Sequence, residues 1–178
     1  MRPDPLTIRI SAPDGELPQS RGFYQLEENA LYVPIGVSEK SRHFFSWLES
    51  PSLRLDLDKS GRLMFIEVSA GRHTWIVVDD MPTPNEARTA DIRWLGFRST
   101  IADPTLLSDW SRSRLLIRFT GSPIRRQYLL ADTVVLSVDA LDRVVSILVT
   151  DIIDDLAGRE IARFRKEQQI QNQCRPTG

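Results

Sequence analysis

Leu53, Leu55 and Leu57 alternate with Arg54, Asp56 and Asp58, the period of two expected of a strand with one buried face. Asp58-Lys59-Ser60-Gly61 follows as a turn, with Gly61 free to take positive φ. Leu63 to Val68 returns as a more apolar strand, so residues 53–68 read as a β-hairpin. The same apolar register recurs 81 residues later. Leu55 falls on Leu136, Asp58 on Asp139, Arg62 on Arg143, Ile66 on Ile147 and Val68 on Val149. At that offset Trp47-Leu48 lies over Tyr128-Leu129, and at 85 Leu31-Tyr32-Val33 lies over Leu116-Ile117-Arg118. Repetition on this scale marks an internal duplication.

The rest of the pattern fills in around the two copies. Residues 5–11 alternate as an N-terminal strand. Phe23-Tyr24-Gln25 and Leu31 to Ile35 read as strands around the turn Glu27-Glu28-Asn29. Residues 41–48 fit a helical stripe or a strand, and the repeat favours the strand. Thr74 to Val78 and Ile92 to Phe97 are further strands. Asp103-Pro104 is a helix-start signal, with Leu106, Leu107 and Trp110 as the buried side of a short helix. Ile153, Leu156, Ala157, Ile161 and Phe164 recur at helical spacing between about Asp151 and Gln171. The expected architecture is mainly β (α+β): two tandem antiparallel meander units of about four strands, closed by a C-terminal amphipathic helix. The units span residues 1–80 and 92–170. The proline-containing segment 81–91 is the linker, and 171–178 is a flexible tail. Because a lone meander is marginal, the units are expected to pack by pseudo-twofold pairing, with the helix docked through Ile153, Leu156, Ile161 and Phe164.

Residues 56–67, DLDKSGRLMFIE, spell an EF-hand loop in letters. The context opposes a calcium site. An EF-hand loop is held between helices, whereas here strands flank it. The second copy also replaces the ligand places with Ser137, Leu141 and Leu148.

Asn29-Ala30-Leu31-Tyr32-Val33 followed by the hairpin Leu55-Asp56-Leu57-Asp58-Lys59-Ser60-Gly61-Arg62-Leu63 resembles a family of short bacterial domains of unknown function. Those domains carry an Ala-Leu-Tyr-Ile strand and a Leu-Asp-x-Asp-x-x-Gly-Arg-Leu hairpin. The resemblance covers residues 23–70 and, more weakly, 108–155, where the Gly and the Glu are missing. It implies a fold and no chemistry.

Composition narrows the function classes. The 178 residues are 41% apolar and 26% charged, with a net charge of −1, which gives no electrostatic case for nucleic acid or for an anionic membrane. No apolar run approaches bilayer length. No signal-peptide core follows Met1, and the single Cys174 excludes an internal disulfide, so the expected compartment is the cytoplasm. Lys occurs only at Lys40, Lys59 and Lys166; the other twenty cations are Arg. Neither a catalytic signature nor a cofactor or metal motif stands out. His43 and His73 lack a nucleophile elbow, and Asp79, Asp80 and Glu67 form an acid–base pair only if the fold brings them together. Trp94, Arg125, Arg126, Arg163 and Arg165 are the candidate interaction surface.

The expected function is a non-enzymatic protein-binding module of the bacterial immunity or antitoxin-inhibitor type. The expected partner is another protein, with self-association as a homo-oligomer the second option. The alternative is a small-molecule-binding or hydrolytic domain with its site between the units. A cleft joining His73, Glu67 or Asp80 favours the alternative; a solid core with an exposed aromatic and arginine patch favours the binding module.

Overall fold

The computed structural model describes residues 4–36, 43–156 and 158–173. The protein is mainly β with a single C-terminal helix, as the hydrophobic pattern requires. The first half contributes β1 (Ile8–Ser11), β2 (Phe23–Gln25), β3 (Ala30–Pro34), β4 (Ser46–Glu49), β5 (Leu53–Leu57), β6 (Leu63–Val68) and β7 (Ile76–Val77). After β8 (Arg88–Thr89), β9 (Asp91–Trp94) and β10 (Ser99–Thr100) come β11 (Thr105–Ser108), β12 (Leu115–Arg118), β13 (Arg126–Ala131), β14 (Val134–Val138), β15 (Val144–Val149), β16 (Ile153–Asp154) and helix α1 (Arg159–Gln173).

The duplicated hairpins match pair for pair. Leu53 faces Val68 and Leu55 faces Ile66 in β5–β6; Val134 faces Val149 and Leu136 faces Ile147 in β14–β15. Both ladders shift register one residue before the turn. In the first turn Asp58 Oδ1 accepts the N–H groups of Ser60 and Arg62 at 2.9 and 3.0 Å; in the second, Asp139 Oδ1 accepts those of Leu141 and Arg143 at 2.8 and 3.1 Å. Gly61 (φ 88°) and Asp142 (φ 55°) take the left-handed place. Gly61 is also fixed by space, since a Cβ there would come within 2.6 Å of the Trp94 carbonyl oxygen.

Upstream, the equivalences differ from the sequence alignment by one residue. Leu31 and Leu115 are the partners of Val68 and Val149, an offset of 84; Leu48 and Tyr128 are those of Leu55 and Leu136, an offset of 80. The reason is the pleat: a one-residue slip would send Leu31 and Leu115, both completely buried, to opposite faces.

Each sheet has seven strands in the same spatial order, β10-β4-β5-β6-β3-β2-β16 and β8-β13-β14-β15-β12-β11-β7. The triple β4-β5-β6 is the expected meander. The preceding strand β3 returns beside β6 instead of β4, which gives a Greek-key arrangement. Edge strands are exchanged between the halves. β7 leaves the first half to lie parallel to β11, and β16 leaves the second to lie parallel to β2. β8 and β10, between the halves, supply the opposite edges. Residues 81–91 thus contain β8, and they also contribute Met81 to an outer face of the second sheet.

Inward side chains of both sheets form one continuous core that includes Leu55, Ile66, Leu136 and Ile147. β1 pairs antiparallel with β9 at one end of it, burying Ile8 against Trp94. Both strands also bind the hairpin turns: the Trp94 N–H donates to the Gly61 carbonyl at 2.8 Å and the Ile8 N–H to the Asp142 carbonyl at 3.0 Å.

Two expected helical segments are extended. Residues 105–108 form β11 instead of a helix, because Leu106 and Leu107 bury on opposite sides, Leu106 in the shared core and Leu107 on the outer face. Asp103 caps no helix; its Oδ1 accepts the Ser50 and Ser52 hydroxyls and the Ser52 N–H. The C-terminal helix begins at Arg159 and not near Asp151. Ile153 lies in β16, and Leu156 is 78% exposed, so neither docks the helix. Ile161 and Phe164 do dock it, on Ala30, Tyr32, Met64 and Phe65 of the first sheet.

Candidate interaction surface

The outward positions of β4 and β5 build the most distinctive surface. Ser46 and Leu48 point inward and are buried, so Trp47 and Glu49 point outward, opposite Asp56 and Arg54. The Arg54 guanidinium lies 5.0 Å from the centre of the Trp47 ring. It donates to Asp56 Oδ1 at 3.0 Å and to Glu49 Oε2 at 3.2 Å.

Arg98 also lies over the Trp47 ring. Its guanidinium carbon is 5.1 Å from the centre of Trp47, 5.1 Å from Phe97 and 5.8 Å from Phe45, whose rings tilt together at 5.8 Å. Phe45 is 38% exposed and Phe97 55%. The backbone there is strained: Arg98 has φ 43°, which costs a non-glycine residue about 1–2 kcal/mol. Two contacts hold it, an N–H donated to Ser46 Oγ at 2.9 Å and Nη2 to the Phe45 carbonyl at 3.4 Å. Gly96 keeps this loop close to the body of the protein, because a Cβ would come within 2.7 Å of the Pro5 carbonyl oxygen. Arg98 pairs with no carboxylate among the described residues.

Acidic groups border the patch. Burial pushes the Asp56 carboxyl upward, against the opposing pull of Arg54; burial and then the neighbouring Asp56 charge push Glu67 upward. Further along the face, Tyr32 donates a short hydrogen bond to Glu28, and Arg165 stacks over the Tyr32 ring at 4.9 Å. Burial first, then that hydrogen bond, raise the Tyr32 phenol to about 12.

The five residues singled out in the sequence do not converge. Trp94 is 3% exposed inside the shared core, because Ile92 and Trp94 fall on the inward side of β9. Arg125 is exposed beside β13, Arg126 pairs with Asp142, Arg163 pairs with Glu167 within α1, and Arg165 pairs with Glu28. Nor are the candidate acid–base groups neighbours in one cleft. Glu67 lies on the outer face of the first sheet, while His73 and Asp80 are exposed in separate turns. Asp79 accepts the indole N–H of Trp110 at 2.7 Å. Asp58, the central residue of the calcium-like motif, spends Oδ1 on its own turn. The patch around Trp47 escaped the sequence reading. Phe45 and Trp47 alternate visibly, but their link to Phe97-Arg98 depends on β10 joining β4, Ser99 beside Leu48.

No protein-family model matches the chain, and no curated protein matches it. No helix among the described residues is long and apolar enough to cross a membrane.

Proposed function

We propose that the protein is a non-enzymatic protein-binding module that engages its partner through Phe45, Trp47, Phe97 and Arg98. The observation that carries this reading is an exposed aromatic cluster around an arginine that lacks a carboxylate partner among the described residues. Tryptophan and arginine are the residues that most often dominate binding energy at interfaces. A guanidinium stacked on rings is already oriented to take a partner carboxylate. The fitting partner segment carries an apolar side chain beside an acidic one. An inhibitor of the immunity or antitoxin type, acting in the cytoplasm, is the narrower form of this proposal. The resemblance of residues 23–70 to short bacterial domains belongs with it and adds no activity. A site between the units has less support, since the two inner faces share an apolar core.

A photo-crosslinking residue placed at Phe97, in cells that make the protein naturally, tests the reading, with Leu141 as an exposed control position. A discrete protein adduct from position 97, absent from position 141 and abolished by Arg98→Ala, is the expected result. Equal labelling from both positions would refute it.

A further inference from the structure

The duplication provides an internal standard for the outer face of the second sheet. Ser137 faces Ser146 where Asp56 faces Phe65 in the first hairpin, so Ser146 occupies the register place of Phe65. In the first sheet that place is filled by rings: Phe164 stacks on Phe65 at 4.9 Å and 8°, and Phe44 lies 5.9 Å away. In the second sheet a cavity of about 270 Å³ opens over the serines. Leu116, Val135 and Leu148 form its apolar floor, and Pro82 and Pro84 form a wall. Cavities of about 150 Å³ already accept benzene. Its polar lining is Arg118, Thr120, Ser122, Gln127, Ser137 and Ser146. Ser137 Oγ accepts from Gln127 Nε2 at 3.1 Å. Arg118 is the direct cross-strand neighbour of Ser146, and its exposed side chain stands where the first sheet has Pro34. Arg118 pairs with no carboxylate among the described residues.

We propose that this cavity binds a small monocyclic aromatic carboxylic acid. The ring takes the space that Phe65 and Phe164 fill in the first sheet, and the carboxylate meets the Arg118 guanidinium and the Ser146 hydroxyl. An apolar slot with a few placed polar groups is the usual form of a small-ligand site, and a planar guanidinium pairs a carboxylate through two parallel hydrogen bonds. This site lies on the opposite sheet from the aromatic patch and does not depend on it.

The test is an amide-resolved NMR titration of the full chain with benzoate, and with benzyl alcohol as its uncharged counterpart. Saturable shifts confined to residues 116–124 and 135–148 are expected, with a Kd of about 1 mM for a one-ring ligand. Ser146→Phe, which restores the ring, should abolish binding of both molecules. Arg118→Gln should weaken benzoate about tenfold and leave benzyl alcohol unchanged, the size of one lost charge-assisted contact. Shifts that do not saturate, shifts scattered over other surfaces, or benzoate binding unchanged in Arg118→Gln would overturn the proposal. Should Ser146→Phe fail to fold, the Arg118→Gln comparison decides alone.

Discussion

The two sheets share an inner face and differ in their outer ones. Inside, Leu55 and Leu136, or Ile66 and Ile147, are interchangeable in kind and equally buried. Outside, Arg54, Asp56, Phe65 and Glu67 of the first sheet are replaced by Val135, Ser137, Ser146 and Leu148 at the equivalent places of the second. The first outer face is covered by α1 through Ile161 and Phe164 and keeps a charged, aromatic strip beyond it. The second is covered, among the described residues, by Met81 and its neighbours, held by an Arg114 hydrogen bond to the Pro82 carbonyl at 2.8 Å. A common core restrains the inward positions of both sheets alike. Outward positions answer only to whatever covers them, and there the two sheets differ.

The comparison can be broken most severely by removing one cover. A chain ending at Leu156 bares Tyr32, Met64 and Phe65 on the first sheet; size-exclusion chromatography should find it aggregated. Shortening the chain only within 174–178 should leave it monomeric. Next, Phe164→Ala should cost about 3–5 kcal/mol and Met81→Ala about 2–5 kcal/mol in denaturant unfolding. If Met81→Ala proves neutral, the second cover contributes nothing to stability.

Two acid substitutions should move stability in opposite directions. Asp139 is buried, which opposes ionisation. The N–H groups of Arg143 and Leu141 and the Arg143 guanidinium nevertheless hold its carboxyl below the usual range. Its stabilisation is present above the ordinary aspartate pKa and is lost as pH falls through the depressed folded value. Asp139→Asn should therefore cost about 1–3 kcal/mol at neutral pH and little in acid. Glu67 is raised, so its contribution is complete below the ordinary glutamate pKa and is lost as pH rises through the folded value. Glu67→Gln should raise the Tm at neutral pH, with the gain vanishing in acid. Parallel thermal melts from acid to neutral pH check both. The smallest effect is expected at the patch: Arg98→Ala loses exposed ring contacts, should cost about 0.5–1 kcal/mol, and should remove partner capture.

Period-two alternation made the hairpins legible, because burial on one face writes itself into every second residue. Helical spacing made Ile161 and Phe164 legible as well. Periodicity failed where burial is two-sided or where pairing is remote. Leu106-Leu107 look like a helical pair until each is seen to bury on a different side of β11. The outer strands were misaligned by one residue because a repeat with insertions in its loops has no single offset. The patch was hidden for another reason. Residues 45–47 and 97–98 are brought together by a two-residue edge strand, a pairing too short to leave a periodic trace.

The exchange of edge strands also sets the timetable on which the chain can fold. Gln25 and Asp155 meet 130 positions apart, and β2 finds its outer neighbour only in β16. During synthesis the first six strands emerge long before the residues that cover their edge and outer face. The nascent chain then presents open backbone and the rings of Tyr32 and Phe65 to its surroundings. Contacts of such long span close large loops and so come late and slowly. The first sheet, although made first, is the last to be finished.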